Sequence, residues 1–157
     1  MVIPTVSSPA QVVAAYLVQQ LGLSPYWELQ QPADGSTICF VDMIPDEVDQ
    51  LVTVRDVPGM QFGRRLRSGK TDSHQGIQIF IRALDFPTGY PIMNSVCNAL
   101  DASGLGTIKT PDGVIHYIQS LYRVGCPIRN GEEVGKRRLS WIVRARISFQ
   151  DREPNLA

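Results

Sequence analysis

The stretch IQIFIRA, residues 77–83, decides the fold class of this chain. Its apolar residues alternate with more polar ones, so Ile77, Ile79 and Ile81 fall on one face of an extended chain. A β-branched run with this period predicts a strand that packs one face against the interior. The rest of the sequence must therefore supply further strands and a layer that covers them.

Helical spacing occurs on both sides of this strand. Upstream, the letters SPAQ at residues 8–11 form a capping box, in which the serine and glutamine side chains each accept the other residue's backbone amide. Apolar residues then recur every three or four positions until Gly22, a C-terminal cap. Downstream, the same spacing predicts a second helix over Tyr90–Ala102, with Thr88 as its N-cap and Pro91 in its first turn.

Four more runs have the composition of strands, being rich in β-branched or alternating apolar residues and bounded by Pro, Gly or Asp. They predict strands over Thr37–Val41, Gln50–Val57, Val114–Arg123 and Arg138–Gln150, with Gly125–Gly135 as a loop between the last two. The order helix, strands, helix, strands predicts a single α+β domain, in which two main helices pack on one face of a mostly antiparallel sheet.

Two parts of this domain differ from the rest in composition. Pro58–Gly76 contains four glycines and predicts a long, mobile loop or hairpin. The polar tail 151–157 is expected to be loose. The prediction is therefore one domain over 1–157 with an ordered core over 8–150.

The overall composition argues against two classes of partner. Fifteen basic and fifteen acidic side chains cancel to a net charge of zero, which argues against a dedicated nucleic-acid binder. The longest apolar run, Val12–Val18, is far shorter than the ~20 residues that span a bilayer, so no membrane partner is expected. The three cysteines are widely spaced and odd in number, as in a cytoplasmic protein with reduced thiols.

A search for catalytic, cofactor and metal sites finds no convergent set of residues. Residues 68–71 have the letters SGKT of a phosphate-binding loop, but Arg64 occupies the position of the required glycine and a strand follows instead of a helix. Neither His74 nor His116 has another ligand at metal spacing. We therefore expect no enzyme activity and no bound cofactor or metal.

Three charged clusters remain as candidate binding residues. Charge runs of this kind are either solvated surface or an interface that orders on an oppositely charged partner. Two clusters are basic and the third is an acidic turn: Arg64, Arg65, Arg67 and Lys70; Lys136, Arg137 and Arg138; and Asp46, Glu47 and Asp49.

The succession of three stretches gives the chain a family resemblance. They are the opening helix 8–17, the strand 77–83 that runs through Asp85 and Gly89-Tyr90 into the second helix, and the segment from Tyr117 through Gly125-Cys126-Pro127-Ile128 and Gly135 to the closing strand. In this order they cover most of 8–149, and the chain resembles the tail terminator and minor capsid proteins of long-tailed bacteriophages.

The resemblance implies a structural virion protein and not an enzyme. Such a protein is made in the cytoplasm of the bacterial host and forms a ring, typically of six copies, at the head-proximal end of the tail. There it ends polymerisation of the tail tube protein and meets the head-completion, or neck, protein. The alternatives are another neck component, such as a head–tail adaptor or stopper, a minor capsid protein and, more remotely, a small ligand-binding domain or enzyme.

Genome DNA would pass through the hole of such a ring, and this limits where the cations lie. The seven clustered cations on each of about six subunits would set roughly 40 positive charges against roughly 18 phosphates in a ring ~30 Å tall. A lumen with that charge would hold the DNA, whereas we expect it to pass without specific binding. The cations are instead expected to contact adjacent subunits, the tube or the neck, with Asp46, Glu47 and Asp49 paired to a neighbour's arginines.

Overall fold

The computed structural model describes residues 8–25, 37–64, 71–104, 106–132 and 135–151. Two helices and eight strands follow one another along these residues. In chain order they are α1 (Pro9–Leu21), β1 (Ser24–Pro25), β2 (Ile38–Val41), β3 (Leu51–Arg64), β4 (Thr71–Ala83), α2 (Phe86–Asp101), β5 (Gly106–Lys109), β6 (Ile115–Arg123), β7 (Ile128–Glu132) and β8 (Leu139–Asp151).

The strands form one sheet in the order β1-β2-β3-β4-β8-β6-β5. β1, β2 and β3 run parallel to one another, and the other neighbouring pairs are antiparallel. β8 is paired along both edges, with β4 on one side and with β7 and then β6 on the other. The predicted α+β class with a mostly antiparallel sheet is confirmed.

Both helices pack on the same face of the sheet and share a core with it. The Tyr16 hydroxyl of α1 donates to the Ala99 carbonyl of α2 at 2.6 Å and joins the two helices. The sheet contributes alternating residues of its two long central strands, namely Ile77, Ile79 and Ile81 of β4 and Trp141, Val143, Ala145 and Ile147 of β8. The alternation in the sequence therefore correctly predicts which face is buried.

The ends of α1 are those that the sequence predicts. The Ser8 hydroxyl accepts from the backbone N–H of Gln11 at 3.2 Å, and the Gln11 side chain accepts from the N–H of Ser8 at 2.8 Å. Gly22 closes the helix in the left-handed conformation, with φ of 65°, and its N–H donates to the Val18 carbonyl at 3.0 Å. Local capping chemistry alone is enough to define this helix.

The start of α2 differs from the prediction. The helix begins at Phe86, and its N-cap is Asp85, whose carboxylate accepts from the Thr88 N–H at 2.8 Å. Thr88 is thus inside the helix, and Pro91 lies beyond its first turn. The prediction was wrong because the first turn of the helix, 86–89, ends at Gly89 and lacks regular apolar spacing. The spacing of three and four residues begins only at Tyr90.

Neither α1 nor α2 is long and apolar enough to cross a membrane.

The predicted loop over Gly125–Gly135 contains a strand. β7 (Ile128–Glu132) pairs antiparallel with the first residues of β8. Every residue of β7 is exposed, so it has no apolar alternation from which a strand could be predicted. The short strands β1 and β5 were missed as well, because two and four residues carry too little pattern.

The segment Pro58–Gly76 continues two strands of the sheet. β3 and β4 remain paired from Leu51 and Arg82 out to Arg64 and Thr71. β4 leaves β8 at Gln75, so beyond that residue the two strands pair with each other as a hairpin. Residues 65–70, which include Arg65, Arg67 and Lys70, lie outside the described residues.

A loop crosses the face of the sheet opposite to the helices. β2 and β3 are neighbouring parallel strands, with Ile38 opposite Leu51, so the chain must return over the sheet between them. It does so in nine residues, 42–50, whereas such a connection commonly takes a dozen or more. We call residues 42–50 the crossover loop and this side of the sheet the outer face.

Candidate functional site

The crossover loop contains the predicted acidic turn, and two buried arginines hold it. Arg82 of β4 is 2% exposed and projects from the outer face. Its Nη2 donates to the backbone carbonyls of Pro45 and Val48. A buried guanidinium needs hydrogen-bond acceptors, and here the loop backbone supplies them. Arg82 therefore fixes the middle of the loop against the sheet.

Arg138 makes the second set of contacts. It lies directly before β8 and is 1% exposed. Its Nη1 donates to the Asp46 carbonyl at 2.7 Å and to the Asp49 carboxylate at 3.3 Å, and its Nη2 donates to the Asp46 carboxylate at 2.8 Å. One guanidinium thus holds two acidic side chains and one backbone carbonyl. The planar, five-donor geometry of arginine makes this possible.

The turn before β8 carries two more cations. Gly135 and Arg137 both have left-handed backbones, with φ of 88° and 50°, and the turn places Lys136 over the loop. Lys136 Nζ donates to the second oxygen of the Asp46 carboxylate. Because the side chains of Lys136 and Asp46 are 47% and 72% exposed, this pair contributes little to stability compared with the buried contacts of Arg138.

The ends of the crossover loop are also fixed. The Thr53 hydroxyl donates to the Met43 carbonyl at 2.9 Å, and the Asp42 N–H donates to the Val54 carbonyl at 2.9 Å. At the far end, the Gln50 amide donates to the Thr37 hydroxyl at 2.6 Å. The loop is therefore tethered along its length and presents its acidic side chains from a defined backbone.

The structure brings together members of two of the three predicted clusters. Asp46 and Asp49 lie against Lys136 and Arg138 of the same chain, about 90 residues away in sequence. Glu47 and Arg137 are exposed beside them. Of the third cluster, the backbone of Arg64 ends β3, and the other three residues are outside the described part of the chain. That these residues contact other subunits remains a prediction.

Arg82 is the residue of the site that sequence analysis missed. It occupies the polar position of an alternating strand, where an exposed side chain is the ordinary expectation. The sequence signal that could have found it is an arginine between Ile81 and Ala83, at the end of a mostly apolar run. His116 is buried as well, but its Nε2 lies 3.0 Å from the Thr110 hydroxyl and its ring packs edge-on to Phe149, so it is part of the interior.

Two cations, Lys136 and Arg138, contact the carboxylate of Asp46. The hydrogen bond from Lys136, followed by that from Arg138, holds the pKa of the Asp46 carboxyl below its ordinary value. In acid the unfolded chain therefore binds a proton at this position before the folded protein does. It follows that this group makes stability fall as the pH falls.

Replacing Asp46 with asparagine is expected to reduce the loss of stability in acid. The wild-type protein has the full contribution of this carboxylate above its unfolded pKa of about 4 and loses it as the pH falls through the lower folded-state pKa. Thermal melting from about pH 7 to about pH 2 measures this. The melting temperatures of the two proteins should differ at neutral pH and converge in acid, and a gap of constant size would contradict the assignment.

Arg82, Lys136 and Arg138 bind the chain's own backbone and carboxylates, as in a structural subunit whose surface loop has a fixed shape. A comparison with protein families points the same way: the model for bacteriophage tail terminator proteins matches residues 17–146. The chain belongs to this family. A comparison with curated proteins gives no match. Family membership makes the chain a structural protein of the virion tail, which interacts with other tail and head components.

Proposed function

We propose that this protein forms a ring at the head-proximal end of the phage tail, where it ends polymerisation of the tail tube and joins the tail to the neck. The observation that carries the proposal is the family match, which runs from the middle of α1 to the middle of β8 and so includes nearly the whole fold. A ring, typically of six copies, gives the end of a tube a closed surface on which no further tube subunit adds.

A closed ring requires a heterologous interface, in which one patch meets a different patch on the next subunit. The crossover loop suits one side of it, because its backbone is anchored while the side chains of Asp46 and Asp49 remain 72% and 54% exposed. In this proposal Asp46, Glu47 and Asp49 contact a neighbour, and Lys136 and Arg137 contribute from the adjacent turn. Arg138 acts from inside the subunit, since it is 1% exposed and holds the acidic side chains in place.

The first basic cluster completes the proposal. Arg64 ends β3, and Arg65, Arg67 and Lys70 follow it in the sequence before β4 begins at Thr71. Because β3 and β4 extend past their last pairing with β8, we assign this cluster to contact with the tube, the neck or an adjacent subunit. Genome DNA passes through the ring without specific binding, in keeping with a net charge of zero.

Electron microscopy of particles from the phage without this gene tests the proposed function. We expect overlong tail tubes beside filled heads that have no tails, because nothing ends tube growth. Supplying the wild-type gene in trans should restore tails of normal length, which is the control for effects on neighbouring genes. Tails of normal length lying detached from heads would assign the protein to the neck instead, and intact virions would exclude it from tail completion.

A further inference from the structure

A second charged surface lies on the outer face, next to the part that the crossover loop covers. Arg144 of β8 is paired across the sheet with Gln78 of β4, and Arg146 is paired with Gly76. Because Gly76 has no side chain, a groove of about 320 Å³ opens there. We call it the arginine groove, and its main lining residues are Val57, Gly76, Gln78, Val124, Arg144 and Arg146.

The arginine groove is lined by two positively charged side chains. Arg144 and Arg146 are two residues apart on one strand, so both side chains project from the same face. Within the described part of the chain neither has an ion-pair partner, while the nearby Arg55 lies 4.0 Å from the Asp42 carboxylate. Two guanidinium groups that share a groove repel each other, and a carboxylate between them removes the repulsion and accepts hydrogen bonds from both.

The outer face carries the exposed carboxylates of the crossover loop at one end and Arg144 and Arg146 of the groove at the other. The acidic turn is anchored at Arg138, and Arg144 follows six residues further along the chain, mostly within β8. At about 3.3 Å per residue the two ends are ~20 Å apart. The contacts with Arg82 and Arg138 hold the acidic turn, 46–49, away from the groove of its own subunit. A second copy, placed head to tail, offers its acidic turn to this groove, and this is the arrangement that closes a ring.

We propose that the arginine groove of one copy receives the crossover loop of the next, with the Glu47 carboxylate between Arg144 and Arg146. Glu47 is the member of the acidic turn that is exposed and is not one of the carboxylates that Arg138 holds. Charge complementarity within a chain of zero net charge favours this partner over a nucleic acid. The inference rests on the proposed function, because it concerns the interface of the same ring.

Disulfide trapping tests the contact. The variant Glu47→Cys/Arg144→Cys, in a Cys126→Ser background that removes the exposed native thiol, is supplied in trans to the phage without this gene. Oxidised particles should give a ladder of covalent oligomers on a non-reducing gel. Arg82 and Arg138 hold the residues on either side of Glu47, and in the register of β8 these anchors lie four to six residues from Arg144. This spacing of ~13–20 Å exceeds the ~7 Å Cα limit of a disulfide, so the cross-links join copies. The matched control Glu47→Cys/Lys109→Cys, with its second cysteine at the exposed position 109 at the end of β5, should give no ladder.

A charge swap tests the same contact without cysteines. Glu47→Lys and Arg144→Glu/Arg146→Glu should each lower the yield of tailed particles at least about tenfold, which corresponds to ~1.4 kcal/mol in the contact. The combination of all three substitutions should restore most of the yield. Melting temperatures should stay near that of the wild type, because Glu47 and Arg144 are exposed and Arg146 is partly so.

Failure of this inference differs from failure of the proposed function. If both reversed variants yield normal tails and no ladder forms, the groove is not the subunit contact, although the gene deletion still gives overlong tubes. If Arg144→Glu/Arg146→Glu assembles normally but binds DNA more weakly, the groove binds phosphate and the inference is wrong. Intact virions from the gene deletion would instead overturn the proposed function.

Discussion

Replacing Arg138 with alanine is expected to lower the free energy of unfolding by about 3 kcal/mol. The guanidinium is 1% exposed and makes three hydrogen bonds to the crossover loop. Its loss leaves a cavity and takes the donors from the Asp46 carbonyl and from two carboxylates. Urea denaturation measures the change, and the melting temperature should fall by roughly 6–12 °C for a domain of this size.

Two further variants separate the contribution of the guanidinium geometry of Arg138 from the contribution of its charge. Lys136→Ala removes a cation from the same Asp46 carboxylate, but its side chain is 47% exposed, so the expected loss is under about 1 kcal/mol. Arg138→Lys keeps the charge and should recover only part of the stability, since an ammonium group lacks the planar fork that reaches all three acceptors. A denaturation midpoint of Arg138→Ala equal to that of the wild type would contradict the proposed anchor.

Replacing Gly89 with alanine is expected to lower the free energy of unfolding by about 2 kcal/mol. A Cβ at this position would lie 2.3 Å and 2.5 Å from two ring atoms of Trp141 and 2.9 Å from the Cβ of Ala83. Trp141 is 3% exposed and belongs to the core, so either its ring or α2 must shift to admit the methyl group. The cost of this repacking exceeds the ~1 kcal/mol by which alanine is favoured over glycine inside a helix.

The matched control for Gly89 is Gly104→Ala. A Cβ on Gly104 meets no atom within 4 Å, so this variant should unfold within about 0.5 kcal/mol of the wild type. A double-mutant cycle with Trp141→Leu identifies the clash, because the smaller side chain should make Gly89→Ala less costly. If Gly89→Ala lowers the free energy of unfolding equally in both backgrounds, the contact between Gly89 and Trp141 does not position α2.

Local patterns in the sequence determine much of the fold. The capping box at Ser8 and the cap at Gly22 define α1 because both lie within a few residues of the bonds they make. The alternation in β4 and β8 predicts the buried face because successive side chains of a strand point to opposite sides. The order of these elements leads to the α+β class, and the same order carries the resemblance to tail terminators that the family match confirms.

The tertiary structure decides how the acidic turn is used. Asp46 and Arg138 are brought into contact by the pairing of β4 with β8 and by the return of the chain between two parallel strands, and no pattern within either segment indicates that they meet. Arg82 resembles a surface residue in the sequence and is buried because the crossover loop lies over it. The physical reason is separation in sequence. Periodicity and capping depend on contacts between residues a few positions apart, whereas Asp46 and Arg138 are about 90 positions apart.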